Sequence, residues 1–223
     1  LSLARKLVPA DRAVKSGGPA IIFENVKGSK IPLAINLFGT KERMLKAFGR
    51  SSYDELSLAV KKLINQASPV SLTEKIKKIP ELFGIGRCLP KLVNSAPCQE
   101  NVITEADLGI FPILKCWPGD GGKFITLPLV VTRNPETGVH NLGMYRMQVY
   151  DGKTTGMHWH VHKDGHAHFL KYREKNTRMP VACAIGADPV TIYAATAPLP
   201  ENIDEYFFAG ILNGRPVELV KAV

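Results

Sequence analysis

Short apolar runs of strand length alternate with helical spacing in the first hundred residues. "AIIFEN" (residues 20–25) and "IPLAINLF" (residues 31–38) are such runs. Thr40 offers an N-cap oxygen and Gly49 the backbone freedom of a C-terminal stop, so a helix is predicted between them. Ser52 and Glu55 stand at capping-box spacing. Leu56, Val60, Leu63 and Ile64 then recur on one face, which predicts a second helix. Strands leading into helices define an α/β unit over residues 1–108. The stretch "NSAPCQENVITEADLGIFPI" carries turn and extended-chain signals and leads into a second region.

From Phe111 onward strands dominate. "FITLPLVVT", the turn "RNPETG", "HNLGMYRMQVY" and a turn at Asp151 and Gly152 read as an antiparallel meander that continues into a histidine-rich stretch. Helices are predicted at about residues 166–175, at about residues 188–197, and from an Asn202 cap, with Glu205 at the third position, to Gly214. Strands "MPVACAIG" and "PVELVKA" lie between and after them. The fold class is thus α/β (α+β), with domains at 1–108 and 109–223.

Composition narrows the function classes. Among 223 residues, 45% are apolar and 22% charged, and no apolar run approaches the roughly 20 residues needed to span a bilayer. The basic start has no uninterrupted apolar region, so neither a membrane span nor a secretory signal is expected. Cys88, Cys98, Cys116 and Cys183 are widely spaced and form no CxxC pair, which argues against a disulfide scaffold or zinc knuckle and for a reducing cytoplasm. The net charge of +9 suits anionic partners. The densest basic group, Lys75, Lys77 and Lys78, reads as a solvated helix face, and no aromatic RNA-binding signature interleaves with it. Nucleic acid is therefore not the expected partner.

Candidate chemistry concentrates in "MHWHVHKDGHAHFL". On a strand, His158, His160 and His162 would share one face and Met157, Trp159 and Val161 the other. Neutral imidazole is a common metal ligand, and HxHxH followed by Asp164 and His166 is similar to the HxHxD clusters of zinc hydrolases. That pattern requires His directly after the Asp, where Gly165 stands. Surface histidines without a ligand are the competing reading. The preceding run "NLGMYR" (residues 141–146) adds an amide, a glycine, an aromatic ring and a guanidinium, and the intervening turn would fold it against the histidines. Arg146 has the planar fork that clamps a carboxylate or phosphate.

"GGPAIIFENVKG", "NLFGT", "APCQE", "CWPGDGG", "HNLGMYR", "MHWHVHKDG", "GADPVTIYAA" and "EYFFAGILNGRPVELVKA" resemble, in this order, the UbiD family of prenylated-FMN-dependent decarboxylases. The resemblance implies an N-terminal α/β domain followed by a split β-barrel, flavin-reductase-like cofactor domain, here partial. It implies reversible, non-oxidative decarboxylation of aromatic or α,β-unsaturated carboxylic acids with prenylated FMN, Mn²⁺ and often K⁺. It further implies a flavin prenyltransferase as cofactor supplier and a homo-oligomer when full length. By position, Asn141 matches a metal ligand that bridges to the cofactor phosphate. Met144, Tyr145 and Arg146 match the flavin-lining strand, Arg146 pairing with substrate carboxylate. His158, Trp159 and His160 match a second flavin-lining strand, and Lys163 and Asp164 the phosphate end. Asp164 falls in the second metal-ligand slot without a gap; a shift of two residues would place His162 there.

The resemblance also implies a metal-binding Glu and two catalytic glutamates beyond Val223, so this chain is expected to correspond to roughly the first half of such an enzyme and to be inactive alone. The alternatives are a non-catalytic flavin-binding subunit of a multi-subunit carboxylase/decarboxylase and a histidine-rich zinc hydrolase.

Overall fold

The computed structural model describes residues 17–67, 86–199 and 203–222; Lys75, Lys77, Lys78 and Asn202 lie outside them. The chain begins with an antiparallel pair, β1 (Ile21–Phe23) and β2 (Leu33–Ile35), followed by helices α1 (Lys41–Ala47) and α2 (Tyr53–Ala67). Thr40 accepts a hydrogen bond from the Arg43 N–H at 3.1 Å and Gly49 takes φ 60°, the cap and stop predicted for α1. Ser52 Oγ accepts from the Glu55 N–H at 3.4 Å. The return half of that capping box is displaced by one residue, because Glu55 accepts from the N–H and hydroxyl of Ser51. A short strand β3 (Lys91–Leu92) follows.

Each of the two long apolar runs forms two strands. "FITLPLVVT" divides into β4 (Lys123–Ile125) and β5 (Leu129–Arg133), and "HNLGMYRMQVY" into β6 (His140–Met144) and β7 (Met147–Val149). β4 pairs with β7 and β5 with β6, so both runs leave one sheet and enter the other at the same level. Ile125 faces Met147 and Leu129 faces Met144, which leaves three residues, 126–128, opposite two, 145 and 146. One extra residue on one strand is the arithmetic of a β-bulge, and Pro128, with no N–H to offer a ladder, sits inside it. β8 (Thr155–Met157) completes the first sheet in the order β4-β7-β8. The second sheet is ordered β6-β5-β9, its last strand being β9 (Ala182–Ala184), which follows helix α3 (Asp164–Glu174). Strands that pass from one sheet to another make corners of this kind. The described strands close no barrel.

The strand predicted over residues 158–162 does not form. β8 ends at Met157, and the last rung beyond it is the His158 N–H to the Arg146 carbonyl at 3.1 Å. Past Arg146 the partner run belongs to the other sheet, so no ladder remains to be joined. Residues 161–163 turn instead, and α3 begins at Asp164, earlier than predicted.

Two further helices, α4 (Pro189–Ala194) and α5 (Glu205–Asn213), lie at the centre of the packing. Asp188 caps α4. The cap of α5 is Asp204, whose carboxylate accepts from the Phe207 N–H at 2.9 Å, in place of the predicted Asn202. On one side Val190, Ala194, Phe208, Ala209 and Leu212 form a core with Phe48 and Leu56 from the N-terminal half. On the other, Ala195, Ile192 and Tyr206 pack on Leu129 and Leu142 of the sheet. The last strand, β10 (Glu218–Leu219), runs parallel to β3, and the Arg50 guanidinium donates to the Leu212 carbonyl at 2.6 Å, satisfying one of the open carbonyls at the end of α5. The N-terminal helices and the second region thus share one core.

Candidate cofactor and metal site

Side chains on β6 alternate between two jobs. Leu142 points to the core with α4 and α5, so Asn141, Gly143 and Tyr145 belong to the opposite face, against which α3 packs. Tyr145 is 3% exposed and folds back along its own strand: a Cβ on Gly143 would stand 2.4 Å from its ring. Its hydroxyl accepts from the Gly165 N–H at 3.0 Å and from the Asn141 amide at 3.4 Å. Burial pushes its ionisation up, so at neutral pH it is a phenol. The Trp159 ring meets Tyr145 nearly edge-on at 4.9 Å and stacks on Phe169 of α3 at 6.3 Å. Gly165 is a glycine for steric reasons, since a Cβ there would come within 2.7 Å of both Trp159 and the Tyr145 hydroxyl.

This cluster holds the start of α3 against β6. Asp164, in the first turn, is exposed, as is Lys163, whose ammonium lies 5.8 Å from the Tyr145 ring centre. Arg146 is exposed where the chain crosses between sheets, with its guanidinium 4.9 Å from the centre of the Phe124 ring. His158 is tied to the Arg146 backbone and exposed. Met144 is half-buried at the end of β6. Asn141, Tyr145, Trp159, Lys163 and Asp164 therefore come together, and Arg146 and His158 adjoin them. His160 does not join this cluster; its ring lies 5.4 Å from that of His162, and both are exposed. Without a strand under them, the three histidines do not make the predicted row.

Glu205 is the residue that sequence reasoning passed over. In "NIDEYFFAGIL" it reads as the third-position partner of an Asn202 cap, and nothing in that spacing marks it for chemistry. In the fold its carboxylate accepts from the Leu142 N–H at 3.1 Å, on β6, the edge strand of its sheet among the described strands, beside Asn141. Burial raises its ionisation above the usual carboxylate range, and the charges of Asp204 and Asp164 add to that. Asp164 acts in the same way on Tyr145 and His168. Among the described residues no three His, Cys, Asp or Glu side chains form a ready metal cage. The donors at this end are an amide and two carboxylates, oxygen groups of the kind that hold hard divalent cations such as Mg²⁺ or Mn²⁺.

Residues 91–223 match the family model of the 3-octaprenyl-4-hydroxybenzoate carboxy-lyase Rift-related domain, and residues 9–63 that of its N-terminal domain. The chain belongs to the UbiD family. It is 44% identical over 216 residues to an uncharacterized protein of Aquifex aeolicus (strain VF5), covering 96% of this chain and 44% of that protein. An uncharacterized protein of Archaeoglobus fulgidus is 49% identical over 205 residues, 92% of this chain and 42% of the relative. Among solved structures, vanillic acid decarboxylase of Sedimentibacter hydroxybenzoicus in its closed form superposes with a TM-score of 0.75 at 27% identity, over 96% of this chain and 44% of that one. The UbiD-class enzyme HmfF from Pelotomaculum thermopropionicum, in complex with FMN, gives 0.75 at 26%, over 97% and 44%. The chain spans less than half the length of each of these relatives. No helix among the described residues is long and apolar enough to cross a membrane.

Proposed function

We propose that this chain provides the cofactor-binding part of a reversible, non-oxidative decarboxylase acting on aromatic or α,β-unsaturated carboxylic acids with prenylated FMN. The observation that carries the reading is Arg146, exposed, seated over Phe124 and bonded through its backbone to His158, one residue past Tyr145, whose hydroxyl accepts from Asn141 and from the Gly165 N–H beside Asp164. A guanidinium so presented offers two parallel hydrogen bonds to a substrate carboxylate and fixes its orientation. Similarity to a vanillic acid decarboxylase and to an FMN complex supports an aromatic acid and a flavin.

The oxygen donors fit a divalent cation, and Asn141, Asp164 and Glu205 would hold it; a Mn²⁺ ion there would neutralise the carboxylates and tie down a phosphate. Glu205 thereby takes, within this chain, the ligand role that the resemblance assigned to a later residue. His162 competes with Asp164 for the remaining position. Lys163 and the N-terminus of α3 suit the phosphate's negative charge. Prenylated FMN, when bound, supplies the electron sink for loss of CO₂. Domains at 1–108 and 109–223, packed through the shared core, remain the division we favour.

The test is the full-length protein produced with a flavin prenyltransferase and offered a panel of aromatic and unsaturated acids. Consumption of an acid with release of CO₂, together with bound prenylated flavin, is expected. Bound flavin without turnover on any acid would favour the non-catalytic subunit, and tightly held zinc without flavin would favour the hydrolase.

A further inference from the structure

α3 presents exposed site residues at its start, but it is fastened to the sheet along one face. Gly165, His168 and Lys171 recur every three residues, and each bonds a different point of the β5–β6 hairpin or the residue just past it. The Gly165 N–H donates to the Tyr145 hydroxyl, His168 Nδ1 lies 2.9 Å from Thr132 Oγ1, and the Lys171 ammonium pairs with Glu136 in the hairpin turn. Of the two side-chain pairs, Lys171 with Glu136 is partly exposed, whereas Thr132 and His168 are 1% and 7% exposed.

Thr132 stands directly opposite Asn141 in the register of β5 and β6, so their side chains leave the sheet on the same face. Asn141 donates to the Tyr145 hydroxyl, and that hydroxyl accepts from Gly165. Asn141, Tyr145, Gly165, His168 and Thr132 thus link adjacent positions of β5 and β6 to the first two turns of α3. His168 lies one helical turn after Asp164. We propose that His168, through Thr132, is a positioning residue that fixes the first turn of α3, and with it Asp164, at the separation from Asn141 that a divalent cation requires. The inference rests on the cation reading above.

A buried histidine that only stabilises the core would lower the melting temperature and leave cation affinity of the folded protein unchanged. The experiment titrates Mn²⁺ into metal-stripped full-length protein, following free Mn²⁺ by electron paramagnetic resonance well below the melting temperature. His168→Leu and Thr132→Val should each weaken Mn²⁺ binding about tenfold, the lower end for groups that orient metal ligands without touching the metal. The double variant should bind no more weakly than either single one, because both break the same link. His168→Asn, whose amide takes the place of Nδ1, should stay close to wild type, as should Lys171→Ala. Should His168→Leu fail to fold, the near-isosteric Thr132→Val carries the test. Unchanged affinity in the folded single variants, or additive losses in the double variant, would overturn the proposal. Absence of Mn²⁺ binding by the wild-type protein would instead remove the cation reading itself.

Discussion

The buried face of β6 and the exposed run of residues 158–163 meet where Trp159 touches Tyr145, and they are built on opposite terms. On the buried side Asn141, Tyr145, Thr132 and His168 each have a named partner and almost no solvent contact. On the exposed side His158, His160, His162 and Lys163 face solvent; a backbone bond from His158 to Arg146 and the Trp159 ring join the run to the sheets. Residues conspicuous for their chemistry therefore occupy the open surface. As proposed above, a threonine, a tyrosine and a histidine on the buried side set the position of the first turn of α3, and with it Asp164. Such a division is what a site needs if ligands are to bind a surface that does not collapse when empty.

The largest expected effect separates the exposed chemistry from the buried frame. If the full-length protein is the proposed decarboxylase, Arg146→Ala should cut its kcat/KM by at least about a hundredfold, since orientation of the carboxylate is lost. Bound flavin, read from the visible spectrum, should stay near wild-type level. Wild-type turnover in that variant would remove Arg146 from the site.

The frame itself is tested by Gly165→Ala. The added methyl would meet Trp159 and the Tyr145 hydroxyl at 2.7 Å, so the variant should lose about 1–3 kcal/mol in urea denaturation, as overpacked sites do. An unchanged midpoint would show that α3 is not docked through this contact.

A smaller effect should appear with pH. Burial holds the His168 imidazole below its ordinary pKa of 6.5. The unfolded chain then takes up a proton below pH 6.5 that the folded protein does not, so this contribution to stability is complete above 6.5 and is lost as pH falls below it. The limiting slope is about 1.4 kcal/mol per pH unit for one proton. Glu205, whose pKa is raised, contributes with the opposite sign above the ordinary carboxylate range, so the wild type alone does not isolate either group. His168→Asn should flatten the wild-type slope between pH 6.5 and 5 in metal-free protein, measured by thermal denaturation. Parallel profiles would contradict the assignment.

Local chemistry made parts of this molecule legible in its sequence. Thr40 with Gly49, and Ser52 with Glu55, mark α1 and the start of α2 because caps are satisfied by neighbouring atoms. The run from Asn141 to Arg146 combines amide, glycine, ring and guanidinium, but it leaves β6 after Met144, so the ring and the guanidinium sit in the crossing between the two sheets. What was not legible depended on distant partners. The alternation of histidine with apolar residues at 158–162 satisfies a strand's period, but a strand also needs a neighbour, and β7 begins only at Met147. "FITLPLVVT" reads as one run because both halves are apolar, and only Pro128 hints at the corner. Glu205 and Asp204 are adjacent acids before an apolar helix, and the tertiary fold alone decides that one caps and the other reaches β6.

Metal and flavin content of the full-length protein, made together with a flavin prenyltransferase, tests most directly whether the end of β6 holds the cofactor and its metal. Elemental analysis and mass spectrometry would be run on wild type, Asn141→Ala, Glu205→Gln, Asp164→Ala, His162→Ala and His160→Gln. Prenylated FMN and a divalent cation are expected in the wild type. The Asn141 and Glu205 variants should lose the cation, the Asp164 variant should lose it ahead of the His162 variant, and His160→Gln should retain it with lowered flavin. Cation content that follows His160 and survives removal of both Asn141 and Glu205 would contradict this assignment, placing the metal on the exposed histidines and leaving the end of β6 without a cofactor role.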